Sequence, residues 1–250
     1  MWLVLCDSSD ASALWACQSL RLSGLQPVEL CTSDSLALSD HWDHRIRDGR
    51  ATICFRLPGG RMIEGDKLRG VLNRLYAVPI PHWRSASRSD QEYVQQELFA
   101  FHLSWLHGLS CPVINRPTPQ GLCGRWRHES EWVWLAGKAG LPVATYRQSA
   151  HDRIAGAKGE RRLVAPGMTV KTVIVVGDRA AGAPAPPPIM EACTRLARLA
   201  ETDLLGIDLV DGAAGPWTFA GASPAPDLAL GGTMLIRAIV CRFAAERAIA

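Results

Sequence analysis

Three consecutive segments near the start of the chain constrain its fold more than any other feature. "MWLVLC" is a continuous apolar run, "DASALWACQSLRLSG" has helical spacing, and "PVELCT" is again strand-like. An apolar run without alternation suits a strand buried on both faces, which is the environment of a parallel sheet. Asp10 is placed to cap the helix and Gly24 to close it. Strand, helix, strand at this spacing is a parallel βαβ unit.

The pattern continues through the first half of the chain. "ATICFRLP" reads as a third strand, and Gly59-Gly60 turns it into "RMIEG" as a hairpin. A helix begins at Ser89, where "SDQE" is a capping box, with Val94, Leu98, Phe101 and Trp105 along one face. "CPVIN" is a strand, stopped by Pro117 and Pro119. A Trp-rich helix runs from about Arg125 to Lys138 and stops at Gly140. The expected fold is an N-terminal, Rossmann-like parallel α/β domain over residues 1–140. In such sheets ligands sit just beyond the strand C-termini. Asp7 and Ser8, following the first strand, and Asn115 and Arg116, following "CPVI", occupy those places, where turn and cap chemistry also accounts for them.

The texture changes after Leu141. "PVATY" reads as a short strand and residues 147–167 as a polar loop. "TVKTVIVVGD" is a β-branched strand, "RAAGAPAPPP" a stiff connector, and "IMEACTRLARLAE" an amphipathic helix. "LLGIDLVDGAAGPWTFAGASPAP" makes a hairpin, and a last helix starts near Gly232. Residues 141–250 are therefore expected to form an α+β domain.

Composition excludes several classes of function. The net charge of +3 and the lack of a basic stripe argue against nucleic acid. The opening apolar run is short, lacks a basic region before it, and does not read as a signal peptide. Nothing approaches the ~20 apolar residues of a membrane span, so no membrane partner is expected. Eight cysteines without a C-x-x-C pair read as reduced thiols of a cytoplasmic protein. His41 and His44 lack matching thiols for a zinc site.

The order of the segments resembles the ATP-grasp superfamily, in particular carboxylate–amine ligases of the ribosomal-protein S6 modification and peptide-maturase type. "PVINRPTPQGLCGRWRHESEWVWLAGKAGLPVATY" is similar to that family's strand ending in Asn-Arg-Pro, its helix, and the Gly-Leu-Pro leading to a strand. "VIVVGD…LARLAETDLLGIDLVDGAAGPWTFAGASPAP" resembles its C-terminal core. The resemblance implies a pre-ATP-grasp-like first domain and a shortened ATP-grasp-like second one. In an active member it implies ATP and Mg²⁺ as cofactors, an acylphosphate intermediate, and a peptide or small-molecule substrate.

Matched residue by residue, the family's first metal-binding acid falls on Asp208. The Glu and Asn of its Glu-x-Asn-x-x-Pro motif fall on Gly221 and Ser223, while proline persists at Pro224 and Pro226. The resemblance thus leaves Asp208 and Ser223 as metal-site positions. Only about two dozen residues separate Tyr146 from Val170, where the family has its nucleotide lobe. "AGAKG", containing Lys158, imitates a short phosphate loop or is a plain loop. The family's phosphate-touching Arg falls on Thr172, next to Lys171, so Lys171 and Lys158 are the nucleotide-contact candidates. Two readings follow from these departures. One is a degenerate member that binds a peptide, a small metabolite or a homologous ligase. The other is an active minimal ligase, with Asp203, Asp211, Asp227 or a partner chain completing the metal site. Trp126, Trp132 and Trp134 cannot share one helical face, which makes the Trp-rich helix a candidate interface, a homodimer included. Leu235, Ile239 and Phe243 mark the packing face of the last helix.

Overall fold

The computed structural model describes residues 1–78, 85–148, 169–212 and 215–247. They form two compact units, Met1–Trp126 with Asp227–Ala250, and Arg127–Pro226. The expected division at 140/141 differs from this in two ways. The Trp-rich helix belongs with the second unit, and the last helix returns to the first.

The first unit begins with β1 (Trp2–Cys6), α1 (Ala11–Leu22), β2 (Val28–Thr32) and the short α2 (Ser33–Ala37). β1 is buried along its whole length, as its unbroken apolar run requires. Asp10 caps α1 by accepting the Ala13 N–H at 3.0 Å. Then come β3 (His41–Arg47), β4 (Arg50–Arg56), β5 (Met62–Glu64), β6 (Gly70–Arg74), α3 (Arg88–His107) and β7 (Val113–Ile114). The parallel sheet has the order β2-β1-β6-β7, with β1 hydrogen-bonded to both β2 and β6. β3, β4 and β5 form a separate antiparallel sheet.

This corrects the sequence reading at two strands. "ATICFR" is β4 and lies outside the parallel sheet, and the Gly59-Gly60 hairpin joins it to β5. The strand that enters the parallel sheet is "GVLNR", buried at all five positions. Its signal was hidden because Asn73 and Arg74 are polar yet buried. The Asn73 amide donates to the Asn115 and Leu122 carbonyls at 2.8 and 2.7 Å, and Arg74 pairs with Asp10. Partnered this way, a polar side chain is tolerated inside a sheet. β3 has no buried position, so its polar residues carry no apolar alternation to mark a strand. α3 starts earlier than "SDQE" suggests: Ser87 is its cap, accepting the Asp90 N–H at 3.2 Å.

The second unit holds α4 (Glu129–Ala139), β8 (Val170–Val176), β9 (Arg179–Gly182), α5 (Pro187–Leu199), β10 (Leu204–Gly212) and β11 (Gly215–Ser223). Gly140 ends α4 in the left-handed conformation that glycine adopts without strain, at φ 86°. The sheet order is β11-β10-β8-β9, antiparallel throughout. Val173, Val175, Leu205, Ile207, Leu209 and Phe219 form one core with the buried faces of α4 and α5. Two segments differ from expectation. "RAAG" is β9 rather than connector, and among the described residues "PVATY" makes a single bridge, Val143 to Phe219.

The chain ends in α6 (Gly232–Arg247), within the first unit. Leu235, Ile239 and Phe243 are buried, and the Phe243 ring lies 5.0 Å from that of Trp2. Leu228–Ala245 is long and apolar enough, at mean hydropathy 1.6, to cross a membrane by length and composition. That revises the expectation that no segment approaches such a span. In this fold its apolar face is part of the first unit's interior.

Candidate functional site on the second sheet

Residues of β10 alternate between two surroundings, as any strand's do. Leu205, Ile207 and Leu209 enter the core, so Gly206 and Asp208 belong to the opposite face. Across the ladder Asp208 pairs with Gly221 on one side and Thr172 on the other. Gly206 pairs with Ser223. The three positions matched to the family's metal ligands, 208, 221 and 223, therefore share one face of one hairpin. A bulge follows between Asp208 and Leu209, where the register shifts.

The contacts on this face are specific. The Thr172 hydroxyl donates to Asp208 Oδ1 at 2.7 Å. Asp208 is half-buried, so this bond compensates part of the cost of desolvating a carboxylate. Gly221 offers no side chain, and a Cβ built on it would meet nothing within 4 Å. Ser223 Oγ accepts the Ala225 N–H at 3.2 Å, tying it into the turn before Pro226.

Lys171 is not part of this group. It pairs with Leu209, one residue out of phase with Asp208, and so belongs to the other face. Its ammonium donates to Asp211 Oδ2 at 2.9 Å and lies 4.5 Å from the centroid of the Trp217 ring. The Lys171 hydrogen bond, with its charge, holds the Asp211 carboxyl below the usual carboxylate range. Lys158 lies outside the described residues. The other acids near the hairpin have places of their own. Asp211 is held by Lys171, and Asp227 caps the turn after the hairpin through the Ala229 N–H. Asp203 is five residues of extended chain away, on the order of 16 Å.

The candidate positions of the first unit fall into two groups. The strand order reverses between β1 and β6, which is where a parallel sheet opens a crevice. Asp7 and Ser8 follow β1 at that point. Beside them Arg74 donates to Asp10 through Nε and Nη2, at 2.7 and 3.1 Å. Burial pushes the Asp7 carboxyl up, against the hydrogen bonds it accepts from the Tyr76 backbone and the Ser33 side chain. Asn115 and Arg116, after β7, are bound up in the scaffold. Asn115 is buried at φ 59°, and Arg116 donates to the carbonyls of Leu106 and Cys111 at 3.1 Å each. Sequence reasoning passed over Arg74, whose one legible sign was a basic residue at a strand's end.

No protein-family model and no curated protein matches the sequence. Solved structures do. MdnC, a macrocyclase from Microcystis aeruginosa MRC bound with precursor peptide MdnA, superposes with a TM-score of 0.71 at 11% identity, over 96% of this chain and 98% of that one. A RiPP-associated ATP-grasp ligase from Chryseobacterium gregarium, in complex with ADP and a leader and core peptide, gives 0.68 at 11% identity, over 96% of each chain. This chain has the ATP-grasp ligase fold. A second ATP-grasp ligase, PsnB, complexed with minimal precursor, Mg and ADP, gives 0.66 at 13% identity, over 97% of this chain and 98% of that one.

The ATP-grasp fold implies Mg²⁺ and a nucleotide, and the donors here can be tested against them. Mg²⁺ demands near-octahedral oxygen coordination. The Asp208 face offers one carboxylate, which already accepts from Thr172, and one hydroxyl oxygen, which accepts a backbone N–H. Among the described residues no group of three or more His, Cys, Asp or Glu is placed to hold a metal. These residues do not fit a Mg²⁺–triphosphate centre.

Proposed function

We propose that this chain is a binding protein on the ATP-grasp fold, which engages a peptide or a homologous ligase and does not itself carry out Mg²⁺–ATP-dependent ligation. One observation carries the reading: the position directly across from Asp208 is Gly221. Phosphoryl transfer from ATP needs metal ions and cationic side chains to neutralise the moving charge. Here the one matched carboxylate stands without a second, and Lys171 is on the opposite face with a carboxylate of its own. The peptide part of the reading is supported by the peptide complexes of MdnC, PsnB and the Chryseobacterium ligase.

Calorimetry with Mg²⁺–ATP on wild type, Asp208→Ala and Gly221→Glu tests it. Wild type and Asp208→Ala are expected to give the same negligible Mg²⁺-dependent heat. Gly221→Glu sets a second carboxylate in open space beside Asp208 and is expected to gain Mg²⁺ affinity. Tight Mg²⁺–ATP binding by wild type that Asp208→Ala abolishes would overturn the proposal in favour of an active minimal ligase. Such a ligand would also stabilise the fold by about 2.7 kcal/mol at a hundred times its Kd.

A further inference from the structure

Trp132, Leu135, Ala136 and Ala139 bury one side of α4 in the core of the second unit, whereas Trp134 is 61% exposed. Beside it runs the stretch 143–146, joined to β11 by the Val143–Phe219 bridge. Between helix and stretch lies a groove of about 680 Å³, lined among others by Trp134, Gly137, Val143 and Tyr146. Among the described residues that line it, Lys138 carries the charge, with its ammonium 5.5 Å from the Trp134 ring centroid.

Two details say what such a groove admits. Gly137 sits inside a helix, where glycine is weaker than alanine. A Cβ there would meet its nearest neighbour, Val143 Cγ2, at an ordinary 3.8 Å, so the chain's own packing does not require glycine. What glycine leaves in the groove's lining is room for the close approach of another backbone. Thr145 and Tyr146 also line the groove, and among the described residues their backbone N–H and C=O groups make no backbone hydrogen bond, which leaves them open to main-chain pairing.

We infer that this groove takes an extended peptide segment in which apolar side chains flank a carboxylate. Trp134 and Val143 receive the apolar groups, and Lys138 receives the carboxylate. Charge complementarity with Lys138 selects an acidic segment over a basic one. The inference rests on the peptide-binding reading above, and it is measured without nucleotide, so that the two fail separately.

Fluorescence anisotropy with labelled short peptides tests it, using a Leu-Phe centre flanked by Glu, by Gln or by Lys. The Glu-flanked peptide is expected to bind wild type about tenfold tighter than the Lys-flanked one, with the difference shrinking at high salt. Lys138→Glu is expected to invert that order, and Trp134→Ala to weaken all three peptides by about tenfold. Gly137→Leu, which puts a bulky side chain into the groove's lining, is expected to abolish binding. Gly137→Ala separates folding from binding, because it should keep or raise Tm while weakening the peptides. No binding at millimolar peptide, or a peptide order unchanged by Lys138→Glu, overturns the inference. A dimer in sedimentation that Trp134→Ala converts to monomer overturns it too, by assigning this face to contact between copies.

Discussion

Thr172 and Asp208 face each other across β8 and β10, with the hydroxyl donating to the carboxylate at 2.7 Å. The residue standing where the resembled ligases place a phosphate-touching arginine instead satisfies the retained acid. A neutral hydroxyl group supplies the hydrogen bond but no charge for a phosphate. Thr172→Val should therefore lower stability by about 1 kcal/mol, read as a shift of the urea midpoint at constant m-value. A midpoint unchanged or raised would show that Asp208 does not depend on this bond.

The Asp10–Arg74 pair is a largely buried ion pair of the first unit. The Arg74 side chain is only 3% exposed and that of Asp10 15%. Asp10→Ala removes both the helix cap and the carboxylate beside a buried guanidinium, and should cost about 3–5 kcal/mol. Asp10→Asn keeps an oxygen for the Ala13 N–H and should recover about 1 kcal/mol of that loss. Chemical denaturation of the two variants separates cap from charge.

His102 gives stability a defined pH dependence. Its ring is 1% exposed, next to Trp42, Phe101 and Trp105, and its Nδ1 hydrogen-bonds the Leu98 carbonyl at 2.7 Å. Burial holds its pKa below the ordinary 6.5, outweighing the Leu98 bond, which raises it. Below pH 6.5 the unfolded chain binds a proton that the folded one resists. Stability should thus fall with pH by up to about 1.4 kcal/mol per unit, until the folded imidazole also titrates. His102→Leu should remove this increment, seen as a smaller difference between unfolding free energies at pH 7.5 and pH 5.

Thiol reactivity should sort by burial. Cys6, Cys123 and Cys193 are buried and pushed up to about 12 by desolvation, with Cys31 raised further still. Cys241 is exposed. Brief iodoacetamide treatment at pH 8, read by peptide mass spectrometry, should label Cys241 and leave those four unmodified until denaturant is added. Early labelling of Cys31 would contradict the packing of β2 against β1.

Gly70 should tolerate no side chain. A Cβ there would stand 2.7 Å from the Trp2 ring and 2.8 Å from that of Phe243. Gly70→Ala is expected to cost about 1–3 kcal/mol by overpacking, and a midpoint equal to wild type would show that α6 can move away from β6.

Local pattern was enough for α1, with its cap and its stop, for the apolar strands β1 and β8, for α5, and for the β10–β11 hairpin. In each the spacing of apolar side chains coincides with the face that becomes buried, so neighbours in sequence carry the information. It failed at β6, whose burial depends on Asp10, Asn115 and Leu122 satisfying polar side chains from far along the chain. It failed also at β9, since an alanine- and glycine-rich segment becomes a strand only when β8 supplies its hydrogen bonds.

The site divides in the same way. The amino-acid sequence alone determined that Asp208 is kept while the matched Glu and Asn positions hold Gly221 and Ser223. Which groups meet was decided by tertiary structure. Cross-strand register set Thr172, not Lys171, beside Asp208, and alternation of side chains across the sheet sent Lys171 to Asp211 on the other face. Register is a property of two paired strands, and neither strand's sequence contains it until the hydrogen bonds between them form.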